Sequence, residues 1–207
     1  MLFNLEDWVG NMSSVSDEIE LCFHEFMEEL KLARKLLTSL KVREIRIELR
    51  SIRPIALLRD EFGPIRRYFK EFVDNVSKVA LPLILVFCVS SLEKFLRSIW
   101  ELRFGSYPKK FRKIFSNPKC FAKHVRKKFG VEIGPLTYRA NAVAMKRHIL
   151  LHRGGVIDKD ALKVFREAGI RDLKENQKLL LTVENVEDDI KILEEFADAI
   201  RNIFVEH

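Results

Sequence analysis

The stretch SSVSDEIELCFHEFMEELKLARKLLTSL, Ser13–Leu40, decides the fold class. Val15, Ile19, Phe23, Phe26, Leu30, Ala33, Leu37 and Leu40 recur at spacings of three and four, so a helix gathers them into one apolar stripe. The pattern runs on to Ile52, as one long helix or two in series, and Ser14 or Ser16 is placed to cap its start. Pro54 breaks the pattern, and Gly63-Pro64 marks a turn and a boundary. The expectation is an N-terminal helical extension over residues 1–62, packed on the bundle or binding a partner, followed by a helical domain over residues 63–207.

A second long helical stretch is predicted from about Ile65 to Phe104, with Pro82 as a kink or break. Its later half, from Leu83 to Leu102, is apolar on most faces and belongs in the centre of the fold or in a subunit interface. Asn117-Pro118 opens a further helix that runs to Phe129, and Gly130 ends it. Thr137 is expected to cap a helix running to about His152, stopped by Gly154-Gly155, and Asp158 to cap a short helix to Ala168. Leu179–Val183, apolar and β-branched, reads as a lone strand, and Asp188–Phe204 as a closing amphipathic helix. Fold class is therefore all-α: a helical bundle with long N-terminal helices and at most one short strand. Scarce glycine and proline, 8 and 6 in 207 residues, agree with long helices rather than many turns.

Apolar residues make up 47% of the chain, enough for a sizeable core. Cys22, Cys88 and Cys120 lie far apart and form no CxxC pair, so they are expected reduced and buried, with no disulfide framework and no zinc knuckle. Met1–Gly10 carries acids and lacks a basic start, which argues against a signal peptide. The longest apolar run, Val79–Val89, is interrupted by Pro82 and falls short of the roughly 20 residues a membrane span needs. The expectation is a cytoplasmic protein with no membrane segment. Charge is unevenly placed: Glu101–Arg153 holds 14 Lys and Arg against two acids, and Asp172–His207 holds four against ten. A basic middle between acidic flanks suits a polyanion, or is a solvated face with no ligand.

The stretch that carries chemistry is RHILLHRGGVID, Arg147–Asp158. It sets two guanidiniums and two imidazoles at a helix end. An imidazole takes or gives a proton near neutrality, and a planar guanidinium grips a phosphate through parallel hydrogen bonds. Those groups suffice to cleave RNA without metal, because the 2′-hydroxyl is itself the nucleophile. On a regular helix, however, positions five apart diverge by roughly 140°. Arg147 and His152 meet over one substrate only if the helix ends or distorts near His152; otherwise a second subunit must complete the pocket.

Arg147, polar His148, three apolar residues, His152 and a Gly-containing turn resemble the Arg-x₄-His signature of the HEPN ribonucleases, in particular the stand-alone toxin and defence types. SSLEKFL, Ser90–Leu96, is similar to that family's core-helix motif and places Glu93 at its acid. Arg153 departs from the pattern, since relatives often carry Asn after the His. The resemblance covers about Ile65–Phe204. It implies an all-α bundle that dimerises so that two motifs share a cleft, and a metal-independent endoribonuclease that leaves a 2′,3′-cyclic phosphate. It also implies a toxin or antiviral effector, restrained in some cases by an antitoxin such as a minimal nucleotidyltransferase. By role, His152 would transfer protons, Arg147 would stabilise the phosphorane, and His148 would orient substrate or support His152. Glu93 would position Arg147 or a histidine, or else form a purely structural buried ion pair.

Substrate contacts are expected from Lys109, Lys110, Arg112, Lys113, Lys123, Arg126, Lys127 and Arg153, where cations interleave with aromatics. In the competing reading Phe121, Val125 and Phe129 face the core. His148 and His152 also have zinc spacing, but Ile149 stands where HExxH needs Glu, and no third ligand is evident; no metal and no cofactor are expected. His24 and His124 stand alone. No phosphate loop or GxGxxG appears. The alternative from another class is a non-catalytic RNA-binding or protein-interaction module with this fold.

Overall fold

The apolar stripe of the first helix finds its partners in helices far away in sequence. A computed structural model of the chain describes residues 14–52, 63–107 and 112–207. Seven α-helices are found there: α1 (Val15–Ile52), α2 (Gly63–Phe104), α3 (Arg112–Phe115), α4 (Pro118–Phe129), α5 (Leu136–His152), α6 (Lys159–Glu167) and α7 (Val183–Glu206). The chain is an all-α helical bundle.

Helix α1 is unbroken, and the Ser14 hydroxyl accepts the Asp17 amide at its start. Ile19, Phe26, Leu30, Ala33 and Leu37 enter the same core as Leu85, Leu92, Leu96 and Ile99 of α2 and Ile190, Leu193, Phe196 and Ile200 of α7. The N-terminal helix thus packs on the bundle. Each Leu, Ile or Phe among them contributes about 1.5–3 kcal/mol by leaving water. Phe26 stacks on Phe95, and Trp100 with Phe104, Phe121, Phe129 and Phe204 fills the end where α2, α4 and α7 meet. Arg34–Glu194 (2.6 Å) and Lys94–Glu29 (3.0 Å) tie α1 to its neighbours at the rim.

Pro82 lies inside α2 without ending it, although its missing N–H leaves the Lys78 carbonyl without a helical donor. By length and composition Asn75–Phe104 could cross a membrane, so the shortness of the apolar run does not exclude a span; half of that window is buried within the bundle. Its remaining apolar surface is concentrated. Val79 and Leu83 are each 63% exposed and Phe87 38%, at i, i+4 and i+8 on one face.

Two boundaries differ from the sequence expectation. Thr137 does not cap α5: it is buried in the first turn, and Pro135 precedes the helix in helical conformation with no side-chain cap. Leu179–Val183 is not a strand. Thr182 caps α7 by accepting the Asn185 amide, so the helix starts at Val183, and the only β pairing among the described residues is the Val156–Lys178 bridge. A small second core of Ala142, Ile149, Ile157, Ala161, Leu162, Phe165 and Leu179 joins α5, α6 and that bridge. It fixes the end of α5. Among the cysteines only Cys88 is fully buried, and burial pushes its thiol up to about 12; Cys22 is half-buried and Cys120 exposed, so the expectation of three buried thiols fails for these two.

Candidate active site

Helix α5 runs through the middle of the bundle because its first half is small: Ala140, Asn141, Ala142, Val143 and Ala144 are buried. Small side chains let neighbouring backbones come close. Lys146 follows them. Its Nζ donates to both carboxylate oxygens of Asp189 on α7, at 2.7 and 2.8 Å. Ile149, fully buried, anchors the final turn. That turn closes with the amides of Arg153 and Gly155 both donating to the Ile149 carbonyl, and Gly154 and Gly155 follow at φ of 57° and 82°. Left-handed residues directly after the helix satisfy its last carbonyls and turn the chain away.

Arg147 and Glu93 are brought together. Arg147 Nη1 donates to Glu93 Oε1 at 3.2 Å, with both side chains largely buried. Burial raises the Glu93 carboxyl above its ordinary range, while the charges of Arg147 and Arg97 pull it down. Arg147 Nε is buried and has no hydrogen-bond partner among the described residues. A buried donor left unsatisfied costs about 1–3 kcal/mol.

His148 and His152 form a second pair. Their rings stand 4.9 Å apart at 49°, as positions four apart on one face require. His152 is exposed and His148 half-buried. Desolvation holds the His148 imidazole below its ordinary value, and the charges of Arg153, His152 and Arg147 act in the same direction. The neutral ring is thereby favoured.

The helix does not distort between Arg147 and His152. The five-residue offset therefore sets Arg147 and His152 roughly 140° apart around the helix axis. Arg153 forms an ion pair with Asp158, whose other oxygen accepts the Ala161 amide (2.9 Å) and caps α6. Asp158 thus joins the motif to the next helix.

Lys109 and Lys110 lie outside the described residues, as does the side chain of Arg112. Lys113, Lys123 and Lys127 are exposed, and Arg126 lies 3.6 Å from Glu132. Phe121 and Val125 are fully buried, and Phe129 packs against the core. The aromatics of α4 therefore serve packing, and its cations face solvent. Asn117 caps α4 by accepting the Cys120 amide. The Nδ1 of His124 lies 2.8 Å from the Cys120 carbonyl. Among the described residues no group of three or more His, Cys, Asp or Glu is placed to hold a metal.

Two partners escaped the sequence reading. Asp189 lies 43 residues beyond Lys146, and no local pattern links them. Lys178 reaches the turn after His152 through its bridge to Val156, and its stem passes 3.9 Å from where a Cβ on Gly155 would stand. No family model, no curated protein and no solved structure matches the chain.

Proposed function

We propose that the protein is a metal-independent endoribonuclease of HEPN type acting as a homodimer. The carrying observation is a guanidinium tethered by an inward acid, Arg147 on Glu93, one residue away from a histidine pair at an open helix end. The 2′-hydroxyl of the substrate attacks the adjacent phosphorus and gives up its proton, the bond to the 5′-oxygen breaks, and that oxygen leaves with a proton. A 2′,3′-cyclic phosphate and a 5′-hydroxyl result. His152, exposed, exchanges the proton; Arg147 neutralises charge on the phosphorane. His148, held neutral, orients His152 or accepts from substrate.

The divergence of Arg147 and His152 within one helix supports a cleft shared by two copies. So does the apolar stripe of Val79, Leu83 and Phe87 on α2, the same helix that carries Glu93, because a second subunit would cover it. In a cell such an activity belongs in the cytoplasm, as a toxin or defence effector restrained by an antitoxin. A second reading, a non-catalytic RNA-binding module, is favoured by one observation: Arg153, beside His152, is already engaged by Asp158.

The test is RNA cleavage in EDTA with analysis of the product ends. Wild type should give cyclic-phosphate termini, and Arg147→Ala and His152→Ala, each folded, should be inactive. Mixing the two inactive variants should restore cleavage, since a shared cleft in the mixed dimer regains one intact Arg–His set. RNA retained without cleavage by wild type would establish the second reading; two inactive variants that stay inactive when mixed would refute the shared cleft.

A further inference from the structure

Helix α6 is strongly amphipathic. Ala161, Leu162 and Phe165 are buried in the second core. At about 100° per residue, Lys159, Lys163 and Arg166 fall within roughly 60° of each other on the solvent side, and all three are exposed. Asp160 and Glu167 occupy the other edge of that side. Among the described residues none of the three cations is paired with a carboxylate. Some other surface lysines are neutralised, as in Lys41–Glu187 and Lys31–Glu28.

Both ends of this cationic edge are anchored. It begins next to Asp158, which grips Arg153 of the histidine turn and caps α6. It ends at Glu167, whose carboxylate accepts from Lys119 at 2.7 Å. Lys119 opens a second ridge, for Lys119, Lys123 and Lys127 recur every four residues along the outer face of α4. At the junction stands Tyr138, 39% exposed, with the Lys119 ammonium 5.2 Å from its ring centroid. Lys178 adds a cation at the turn where the path starts.

We infer that the edge Lys159–Lys163–Arg166 is a binding track for single-stranded RNA that leads from the Arg147–His152 motif across α6 to α4. This rests on the ribonuclease reading for the identity of the polymer. The chemistry fits a single strand: three cations spaced over about 10 Å meet successive phosphates, and the exposed face of Tyr138 offers a platform for a base. The track accounts for the sorting of charge on α6, with Lys159, Lys163 and Arg166 gathered on one side of its solvent face and Asp160 and Glu167 on the other. It also adds three cations that lie outside the densely basic segment of the sequence.

The test uses the full-length chain carrying His152→Ala, to prevent cleavage, and a fluorescein-labelled single-stranded oligoribonucleotide. Affinity is read against salt for this protein and for one that also carries Lys159→Gln, Lys163→Gln and Arg166→Gln. Each phosphate contact on a single strand contributes about −0.7 to the slope of log K against log salt, so three lost contacts should flatten it by about 2 and weaken binding on the order of 100-fold at about 0.1 M salt. Charge-preserving Lys159→Arg, Lys163→Arg and Arg166→Lys should restore both. In a His152 background the Gln substitutions should lower kcat/KM through a higher KM. An unchanged slope and affinity would overturn the track. So would loss of binding to phosphatidylserine vesicles with RNA binding intact, because the edge would then serve a membrane. Flattened slopes in a protein that never cleaves RNA would sustain the track and sink the nuclease; cleavage with unaltered binding would do the reverse.

Discussion

Lys146 and Arg147 are neighbours on α5, and each holds a carboxylate from another helix, yet the two pairs are built differently. Lys146 Nζ meets both oxygens of Asp189, and the side chains are 13% and 3% exposed. Arg147 meets one oxygen of Glu93 at 3.2 Å, and they are 23% and 17% exposed. Burial raises both carboxyls, each against the pull of its cation. The lysine pair is closed, for a compact ammonium saturates both oxygens of an acid sealed in the core. The arginine pair is open. A guanidinium has five donors, one nitrogen is engaged, and the rest of the fork is not consumed by Glu93. Two cations one residue apart therefore do different things: the first clamps α5 onto α7, and the second is tethered while retaining donors for an anion.

The largest effect should come from breaking the closed pair. Asp189→Ala leaves the Lys146 charge buried without a counterion, and urea denaturation should show a loss of about 3–5 kcal/mol. Replacing both partners by apolar residues, Lys146→Met with Asp189→Leu, should recover most of it, because the core then holds no charge to compensate. A loss below about 1 kcal/mol from Asp189→Ala would mean that α5 is held by packing alone, and the contrast with Arg147 would lose its basis.

At the open pair the balance should invert. Glu93→Gln keeps the size and one acceptor while removing the charge, so stability should fall by only about 1 kcal/mol. RNA cleavage should fall by on the order of ten- to a hundredfold, since the guanidinium is no longer aimed by a charged acceptor and loss of a positioned donor has that scale. The drop should appear in kcat more than in KM. Equal activity at reduced stability would make Glu93 a structural partner only.

Why one pair was legible and the other was not follows from spacing. Glu93 stood out as a single acid on an apolar stretch after Ser90-Ser91, and a buried acid demands a cation. Asp189 sits in Glu187-Asp188-Asp189, where three acids in a row read as solvent-facing, and only the rotation of α7 turns the third inward. The same limit shows at helix ends. Asn117 and Asp158 were readable because each precedes its helix and caps it by side chain. At α5 the first-turn bonds are all backbone, Thr137 and Tyr138 donating to Gly134 and Pro135, so a threonine in the right window misled. Leu179–Val183 misled through β-branched composition, when Thr182 alone decides where α7 begins. The long periodic helices, by contrast, follow from the stripe of α1 and the apolar content of α2, which dozens of buried contacts enforce together. Lys178 was beyond reach, as its place depends on one bridge between segments 22 residues apart.

The smallest effect lies at the histidine pair, and it sharpens the comparison by sign. His148 is held below its ordinary value of about 6.5 by desolvation and by Arg153, His152 and Arg147. The unfolded chain therefore binds a proton at this ring before the folded one does. As pH falls from about 6.5 through the folded value, the unfolded state takes up more protons and stability is lost. Glu93 and Asp189 act oppositely, since their raised carboxyls protonate in the folded state first and gain stability as pH falls through their folded values. Urea midpoints of wild type should accordingly decline below about pH 6.5, and His148→Gln should decline less steeply in that interval while keeping the carboxylate-driven behaviour at lower pH. Parallel profiles would mean that the ring has the same proton affinity folded and unfolded. The cations around it would then be too well screened to favour a neutral imidazole beside His152.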